Sequence, residues 1–224
     1  MLSIKIDSSL QLEHPSVQKV IEIAEEIIEE NKILNMEIIY NRAKKKLKLP
    51  RKGLLEIIQF LFNRKILIDG SRHTKNTVLL NIYRKKIFEA IHINNGATFS
   101  LIREKAFTVQ SGSSGQLLWH LKMLLKFGLI KKKKVGKFSL FLPINLDNEI
   151  GKLYFYLKDP SYRDIIEIVH KYGKIKKADV HKHIEDRREE VYRRIKMLIE
   201  NKILFKINDL AKEICISPKI KQYL

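Results

Sequence analysis

Apolar residues recur at helical spacing three times along the chain, and the same short motif follows them each time. In each copy four apolar side chains stand at positions i, i+4, i+7 and i+8, which places them on one face of an α-helix. A basic residue or a glycine comes three positions later, followed by two apolar residues. The copies, 63 and 74 residues apart, are Leu54, Ile58, Leu61, Phe62, Lys65, Ile66, Leu67; Leu117, Leu121, Leu124, Leu125, Gly128, Leu129, Ile130; and Val191, Ile195, Leu198, Ile199, Lys202, Ile203, Leu204. Chance periodicity rarely reproduces seven positions three times, so the sequence predicts a structural repeat.

The residues around each copy predict the same order of elements, three helices followed by a two-stranded hairpin. The predicted helices are 17–30, 36–47 and one from Pro50 in repeat 1; 82–93, 99–107 and one after the turn Ser111-Gly112-Ser113-Ser114 in repeat 2; and 161–172, 178–184 and 188–200 in repeat 3. The predicted strands are 66–68 and 77–80, 129–130 and 138–142, and 203–207 and 213–217, with turns at Asp69-Gly70, Gly136 and Asn208-Asp209. We therefore expect a mostly α fold with small β-hairpin wings (α+β), consisting of three tandem winged helix-turn-helix units at residues 1–80, 81–145 and 146–224.

The chain carries a large positive charge. Its 44 Lys and Arg residues outnumber its 25 Asp and Glu residues by 19, whereas a magnitude of roughly 2 to 8 is enough to keep a small domain soluble. Residues 1–30 hold 2 basic and 7 acidic side chains, so the whole excess lies in residues 31–224. A polyanionic partner would compensate such a charge, and the alternative is a lysine-rich solvated surface. The charge favours nucleic acid as the partner.

Repeat 2 resembles a known family. Residues 113–130 read SSGQLLWHLKMLLKFGLI, and they are similar to the recognition helix and first wing strand of archaeal winged-helix transcriptional regulators of the ArsR and MarR type. Those proteins show a Ser/Thr-rich turn, then Trp-His-Leu or Arg-His-Leu, and a closing Gly-Leu-Ile or Gly-Leu-Val. The similarity is specific over residues 111–142 and architectural in the other repeats. It implies that the exposed face of this helix enters the DNA major groove and that the wing contacts the backbone. Leu118 stands where that family commonly has Ser or Thr, and the paired cysteines of its metal-sensing members are absent, since Cys215 is the single cysteine.

The outward face of the third helix of repeat 2 supplies the candidate DNA contacts. With the leucine stripe toward the core, Gln116, Trp119, Lys122, Met123 and Lys126 point outward and His120 lies on the flank. Gln116 suits an adenine edge, and the two lysines suit phosphates. Trp119 and Met123 pack either on DNA or against a neighbouring unit, and the lysines of the wing suit the phosphate backbone. The predicted contacts are Ser113, Ser114, Gln116, Trp119, His120, Lys122, Lys131, Lys132, Lys133, Lys134 and Lys137.

The same register gives different faces in the other repeats. In repeat 3 it holds Glu190, Arg193, Lys196, Met197 and Glu200, and the predicted DNA contacts are Arg187, Arg188, Arg193, Arg194 and Lys196. In repeat 1 it holds Gly53, Glu56, Gln59, Phe60 and Asn63. Because that face has no positive charge, we expect repeat 1 to serve packing, or to bind a second copy of the chain or another protein. Phe60, Met123 and Met197 share one register position, which keeps a protein-interaction role open.

These observations predict a sequence-specific double-stranded DNA-binding transcriptional regulator that acts in the cytoplasm, with no cofactor and no membrane contact. The sequence has no Gly-rich phosphate loop, dinucleotide fingerprint or nucleophile elbow, and no apolar run near the roughly 18 residues of a membrane span. We therefore do not expect an enzyme.

His181 and His183 face different ways on a helix, which favours surface histidines over metal ligands. The alternative is a winged-helix scaffold for protein interactions, of the ESCRT-II or basal transcription kind, which the acidic residues 22–30 also fit. RNA binding is a third hypothesis.

Overall fold

The computed structural model describes residues 10–107, 112–208 and 213–224. Its helices are α1 (Pro15–Glu29), α2 (Met36–Lys46), α3 (Arg51–Asn63), α4 (Ile82–Ile93), α5 (Phe99–Ala106), α6 (Ser114–Lys126), α7 (Asn148–Leu157), α8 (Pro160–Tyr172), α9 (Lys177–His181) and α10 (Arg188–Glu200). Its strands are β1 (Ala97–Thr98), β2 (Ile130–Val135), β3 (Phe138–Pro143), β4 (Lys174–Lys176), β5 (Leu204–Asn208) and β6 (Glu213–Ile216), and short 3-10 helices cover Val78–Leu80 and Lys221–Tyr223. The fold is therefore mostly helical with small antiparallel sheets. Of the predicted turn residues, Ser111 and Asp209 lie outside the described ranges.

The chain packs into two compact units, which we call the N-terminal unit (Met1–Lys86 and Gly115–Leu129) and the C-terminal unit (Ile87–Ser114 and Ile130–Leu224). The core of the N-terminal unit consists of the apolar faces of α1, α2 and α3. Pro15 begins α1, and the side chain of Asn35 caps α2 by accepting a hydrogen bond from the Ile38 N–H at 2.7 Å. The three domain boundaries expected from the repeats stay a prediction.

The third helix of each repeat ends in the same way. Lys65, Gly128 and Lys202 have left-handed backbones with φ of 57°, 62° and 63°. The N–H of the next residue bonds the carbonyl five positions back in each case, at 2.9 Å for Ile66, 3.0 Å for Leu129 and 2.9 Å for Ile203. This pair of features is the Schellman motif, in which a left-handed residue allows the chain to turn off a helix while satisfying its last carbonyls. The third helices of the three repeats therefore end with the same backbone geometry, as the shared motif predicts.

The hairpin predicted for repeat 1 is wrong. Residues 66–68 form no strand, and 78–80 are a 3-10 helix in place of the second predicted strand. Thr74 and Thr77 form reciprocal hydrogen bonds. The Thr74 hydroxyl accepts from the N–H of Thr77 at 3.2 Å, and the Thr77 hydroxyl accepts from the N–H of Thr74 at 2.9 Å. Such local side-chain bonds compete with a strand ladder. In addition, the N–H of Leu34 donates to the carbonyl of Ser71, and its carbonyl accepts from the N–H of Gly70, each at 2.9 Å. Leu34 therefore occupies backbone groups at the predicted turn of the hairpin.

The hairpins of repeats 2 and 3 are confirmed, and each gains a third strand that the sequence analysis did not predict. Strand β1 pairs antiparallel with β3, and β4 pairs antiparallel with β6, so the sheets have the equivalent orders β1-β3-β2 and β4-β6-β5. Both added strands lie immediately before the short helix of their repeat. They have only two and three residues, which is too short for a period-two pattern to be recognised in the sequence.

Helix α7 was also not predicted, and it joins the β2–β3 hairpin to the helices of repeat 3. Asp147 caps it by accepting from the N–H groups of Glu149 and Ile150, at 2.8 Å and 3.4 Å. The buried side chains of β2, β3, α7, α8, α10 and β6 form one apolar core. At its centre Gly151 allows close approach, because a Cβ at this residue would lie 2.6 Å from Cδ2 of Leu142. The hairpin of repeat 2 is therefore part of the same core as repeat 3. Among the described helices none is long and apolar enough to span a membrane.

Candidate nucleic-acid interface

Helix α6 has the amphipathic arrangement that its sequence predicts. Leu117, Leu121 and Leu124 are buried. On the opposite face the side chains of Gln116, Trp119, Lys122 and Lys126 are exposed, and Met123 is half-buried. Ser114 begins the helix and accepts a hydrogen bond from Nη1 of Arg103, while Ser113 is exposed just before it. The helix therefore presents one amide, one indole and two ammonium groups to solvent.

His120 is the one predicted contact of this helix that lies in the interior. Only 7% of its surface is exposed, and its ring packs edge-on against Trp119, with the ring centroids 5.0 Å apart. Burial, together with the charge of Arg84, lowers the pKa of its imidazole. His120 is therefore placed to support the exposed Trp119, and it is not presented as a surface contact.

Arg84, in the first turn of α4, is a functional candidate that the sequence analysis missed. Its guanidinium carbon lies 5.7 Å from the centroid of the Trp119 ring, a cation–π arrangement. The residue is 4% exposed, and its Nε and Nη1 have no hydrogen-bond partner within the described ranges. Burial lowers the pKa of the guanidinium. Arg84 places a buried positive charge beside the exposed indole. It belongs to no sequence motif, so no pattern in the sequence indicated its role.

The four consecutive lysines of β2 are divided between the two faces of the hairpin. Lys132 and Lys134 are exposed, whereas Lys131 and Lys133 are half-buried. Side chains alternate along a strand, so Lys131 and Lys133 share the face of Val135, which belongs to the core. Lys131 is further held by donating its Nζ to the carbonyl of Leu146. Two of the four predicted contacts therefore project together from the solvent-facing side of the strand.

The tip of the hairpin lies against α10. Gly136 turns the chain with φ of 55°, and a Cβ there would lie 3.1 Å from Cε of Met197. Lys137 is exposed beside it, with its Nζ 5.5 Å from the centroid of the Phe138 ring. Met197, which shares its register position with Phe60 and Met123, is half-buried near this tip.

The cations of α10 are mostly matched by acidic neighbours. Arg193 pairs with Glu190 at 2.7 Å, and Arg194 pairs with Asp186 at 2.6 Å. The hydrogen bond from Arg193 lowers the pKa of the Glu190 carboxyl. Lys196 lies 3.9 Å from Glu200, and Arg188 packs over the Tyr192 ring with Cζ 5.1 Å from its centroid. Arg187 is exposed at the start of the helix. The positive charge of this helix is therefore largely neutralised.

The acidic helix α1 pairs with the basic end of α2. Glu30 accepts two hydrogen bonds from the guanidinium of Arg42, and Glu26 pairs with Lys46. The bonds from Arg42 and Lys32 lower the pKa of the Glu30 carboxyl to about 2. Two of the five acidic residues at 22–30 are thus ion-paired within repeat 1.

The apolar residues at the shared register do not form an exposed stripe. Phe60, Met123 and Met197 are all half-buried. Phe60 packs against the core of the N-terminal unit, and its ring lies 4.8 Å from the guanidinium carbon of Arg64. The scaffold hypothesis therefore loses the exposed apolar stripe, one of the two observations that favoured it.

The exposed lysines of α6 and β2 differ from the ion-paired cations of α2 and α10. No ion pair is formed by Lys122, Lys126, Lys132 or Lys134 with any residue that the structure describes. All four are exposed. Repeat 2 therefore presents four exposed lysines that carry no ion pair within the described residues.

Part of the sequence is similar to part of a known protein. No protein-family model matches the sequence. Over 119 residues, 52% of this chain, the sequence is 33% identical to a protein of Methanocaldococcus jannaschii that is described as an uncharacterized HTH-type transcriptional regulator. The aligned part is 29% of that protein, so the chain covers less than a third of its relative. About half of the chain is thus distantly related to part of an archaeal protein named as a helix-turn-helix transcriptional regulator.

Proposed function

We propose that the protein is a sequence-specific double-stranded DNA-binding transcriptional regulator of the cytoplasm, with repeat 2 as its principal reader. The observation that carries the proposal is the set of exposed, unpaired lysines on α6 and β2, together with Gln116 and Trp119 on the same helical face. An amide that can bond an adenine edge and ammonium groups that can meet phosphates are the two kinds of contact that specific DNA binding combines.

The order of helices and hairpins supports a winged helix-turn-helix interpretation of repeats 2 and 3. In this interpretation α6 is the recognition helix and β2–β3 is its wing. Repeat 3 would assist through Arg187, which is exposed and forms no ion pair with a described residue, and through Arg193 and Lys196, which would exchange an acidic neighbour for a phosphate. Repeat 1, which has no hairpin, would serve packing or pairing with a second copy.

Fluorescence anisotropy with a labelled duplex at several salt concentrations tests the proposal. Each phosphate contact contributes about 0.9 to the slope of log affinity against log salt. We expect the double substitution Lys132→Gln/Lys134→Gln to weaken binding to all sequences and to reduce the slope by about 1.8, which is about 0.9 for each of two contacts. Gln116→Ala should instead change the preference among sequences.

The matched control removes the same charge from the other face of the strand. Lys131→Gln/Lys133→Gln should leave most of the salt slope intact, since these lysines lie on the core side of the hairpin. Thermal unfolding of both double variants checks that the hairpin is retained. Equal losses from the two pairs, or binding that does not depend on salt, would contradict the proposed interface.

A further inference from the structure

The C-terminal unit contains a cavity that the proposed DNA interface does not use. Its volume is about 590 Å³, within the roughly 300–1,000 Å³ of small-molecule sites in proteins. Residues of β1, α5, the β2–β3 hairpin, α7, α8 and α10 line it. Because six elements meet at its wall, the cavity is built into the fold and is not a surface groove of one element.

One wall of the cavity is a continuous row of aromatic rings. Phe138 lies 5.8 Å from Phe155, Phe155 lies 5.2 Å from Tyr156, and Tyr156 lies 4.8 Å from Tyr162, measured between ring centroids. All four residues line the cavity. Such a row favours a flat apolar ligand, because rings stack on it or meet it edge to face.

The same wall holds a hydroxyl donor without an acceptor. Tyr156 is 2% exposed, and its hydroxyl oxygen has no hydrogen-bond partner within the parts of the chain that the structure describes. Burial raises the pKa of this phenol, so it stays protonated and can donate. Asn201 is near enough to oppose that shift slightly, but no atoms of the two side chains meet hydrogen-bond geometry. A buried donor of this kind is costly unless a ligand or water accepts from it.

The cavity is also cationic. Lys137, Lys158 and Arg193 line it together with the carboxylate of Asp159. Arg193 also donates from Nη2 and Nε to Glu190, at 2.7 Å and 3.2 Å, which leaves the donors of Nη1 for a ligand. The Nζ of Lys158 donates to the carbonyls of Asn94 and Gly96, at 2.9 Å and 2.8 Å. An ammonium has three donors, so one remains for an acceptor. The Asp159 carboxylate already accepts from the N–H of Ser161 at 3.0 Å.

We propose that this cavity binds a small organic anion with a flat aromatic or apolar body and one carboxylate. The body would lie on the aromatic row, and the carboxylate would meet the ammonium of Lys158 and the guanidinium of Arg193. Charge-assisted hydrogen bonds of this type are about twice as strong as neutral ones, so the charge of the ligand should dominate selection. This site does not depend on DNA binding, and its test can be carried out without DNA.

Isothermal titration calorimetry of the full chain with naphthoate and with naphthalenemethanol tests the proposal. The two probes share a ring system and differ in charge. We expect one naphthoate to bind per chain, and the neutral alcohol to bind about tenfold more weakly. Arg193→Gln should weaken naphthoate about tenfold and leave the alcohol unchanged, and Lys158→Met should act in the same direction.

Matched substitutions outside the cavity serve as controls. Arg163→Gln removes an exposed arginine of α8 that also pairs with a glutamate, and Tyr172→Phe removes an exposed phenol. Neither residue lines the cavity. Arg163→Gln should leave naphthoate affinity unchanged, and Tyr156→Phe should reduce it where Tyr172→Phe does not. Equal binding of the acid and the alcohol, or equal effects of Arg193→Gln and Arg163→Gln, would overturn the proposal.

Methyl NMR of the unaltered chain avoids any dependence on the folding of a variant. Met197 lines the cavity, whereas Met36 is exposed in the N-terminal unit. Naphthoate should shift the Met197 methyl resonance saturably and leave that of Met36 in place. No saturable shift of Met197 at millimolar naphthoate would overturn the proposal.

Discussion

Two lysines occupy a backbone conformation that suits glycine. Lys65 and Lys202 have the same left-handed φ as Gly128, and all three end the third helix of their repeat. A side chain in this conformation costs roughly 1 kcal/mol, because Cβ crowds the following carbonyl. The left-handed conformation explains why glycine suits this position of the repeat motif, and the two lysines adopt the same conformation.

We therefore expect Lys202→Gly to raise the free energy of unfolding by about 0.5–1 kcal/mol, and Gly128→Ala to lower it by a similar amount. Urea denaturation measures both. Lys196→Gly, in the middle of the same α10, is the control and should cost about 1 kcal/mol. If Lys202→Gly were as destabilising as Lys196→Gly, the left-handed helix end would not be formed in solution.

A half-buried histidine, His73, and a buried one, His120, lie close to the charge of Arg84. Burial, and then the charge of Arg84, lower the pKa of both His73 and His120 below the ordinary value of 6.5. Both rings are therefore neutral in the folded protein at neutral pH. In the unfolded chain they take up protons near pH 6.5, and in the folded chain only at lower pH.

Because the unfolded state binds more protons in this range, the free energy of unfolding should fall as the pH is lowered from about 7.5 to about 5. The decline begins near 6.5 and levels off below the lowered pKa values. Urea denaturation at several pH values measures it. His120→Gln should flatten the decline, whereas His170→Gln, at an exposed residue of α8, should not. A slope that His120→Gln leaves unchanged would show that these rings do not titrate in this way.

At the scale of elements, the sequence predicts what long apolar periods specify and misses what short or local contacts specify. The stripe in α10 predicted residues 188–200, and the structure has Arg188–Glu200. Strand β1 has only two residues and forms by hydrogen bonding to β3. This pairing is a long-range contact, so no local sequence pattern predicts it. The repeat 1 hairpin failed because the bonds between Thr74 and Thr77 outcompeted it. For the interface, the sequence predicted the candidate cations. It could not predict which of them form ion pairs, because that depends on which carboxylates the fold brings near.

Helix α7 gives a test of packing between elements. Alanine at a helical glycine normally stabilises by about 1 kcal/mol. At Gly151 the added Cβ would lie 2.6 Å and 2.9 Å from the two Cδ atoms of Leu142, so we expect Gly151→Ala to lower the free energy of unfolding by about 1–3 kcal/mol. In the Leu142→Val background, which lacks both Cδ atoms, the same change should be neutral or stabilising. Additive effects in urea denaturation would mean that α7 does not approach β3 this closely.

At the scale of the whole molecule, the net charge of +19 is distributed unevenly between paired and unpaired cations. In repeat 1, Arg42 and Lys46 pair with Glu30 and Glu26, and repeat 3 pairs most of the cations on α10. The lysines of α6 and the exposed lysines of β2 form no ion pair within the described residues, so they can meet a polyanion. Two further cations, Lys137 and Arg193, belong to the predicted DNA contacts and also line the anion cavity. The two proposed interactions therefore draw on the same charges.

This overlap predicts that a bound organic anion weakens DNA binding. A carboxylate in the cavity would neutralise Arg193 and bring negative charge to the cavity that Lys137 lines, so saturating naphthoate should lower duplex affinity severalfold, and by linkage duplex should lower naphthoate affinity by the same factor. Anisotropy at constant ionic strength measures the effect, with acetate replacing naphthoate to match the salt and naphthalenemethanol as the neutral control. In the Arg193→Gln variant the effect should shrink, because the cation that both ligands use is gone. An unchanged duplex affinity at saturating naphthoate would show that the cavity and the DNA surface act independently, since reciprocity forbids an effect in only one direction.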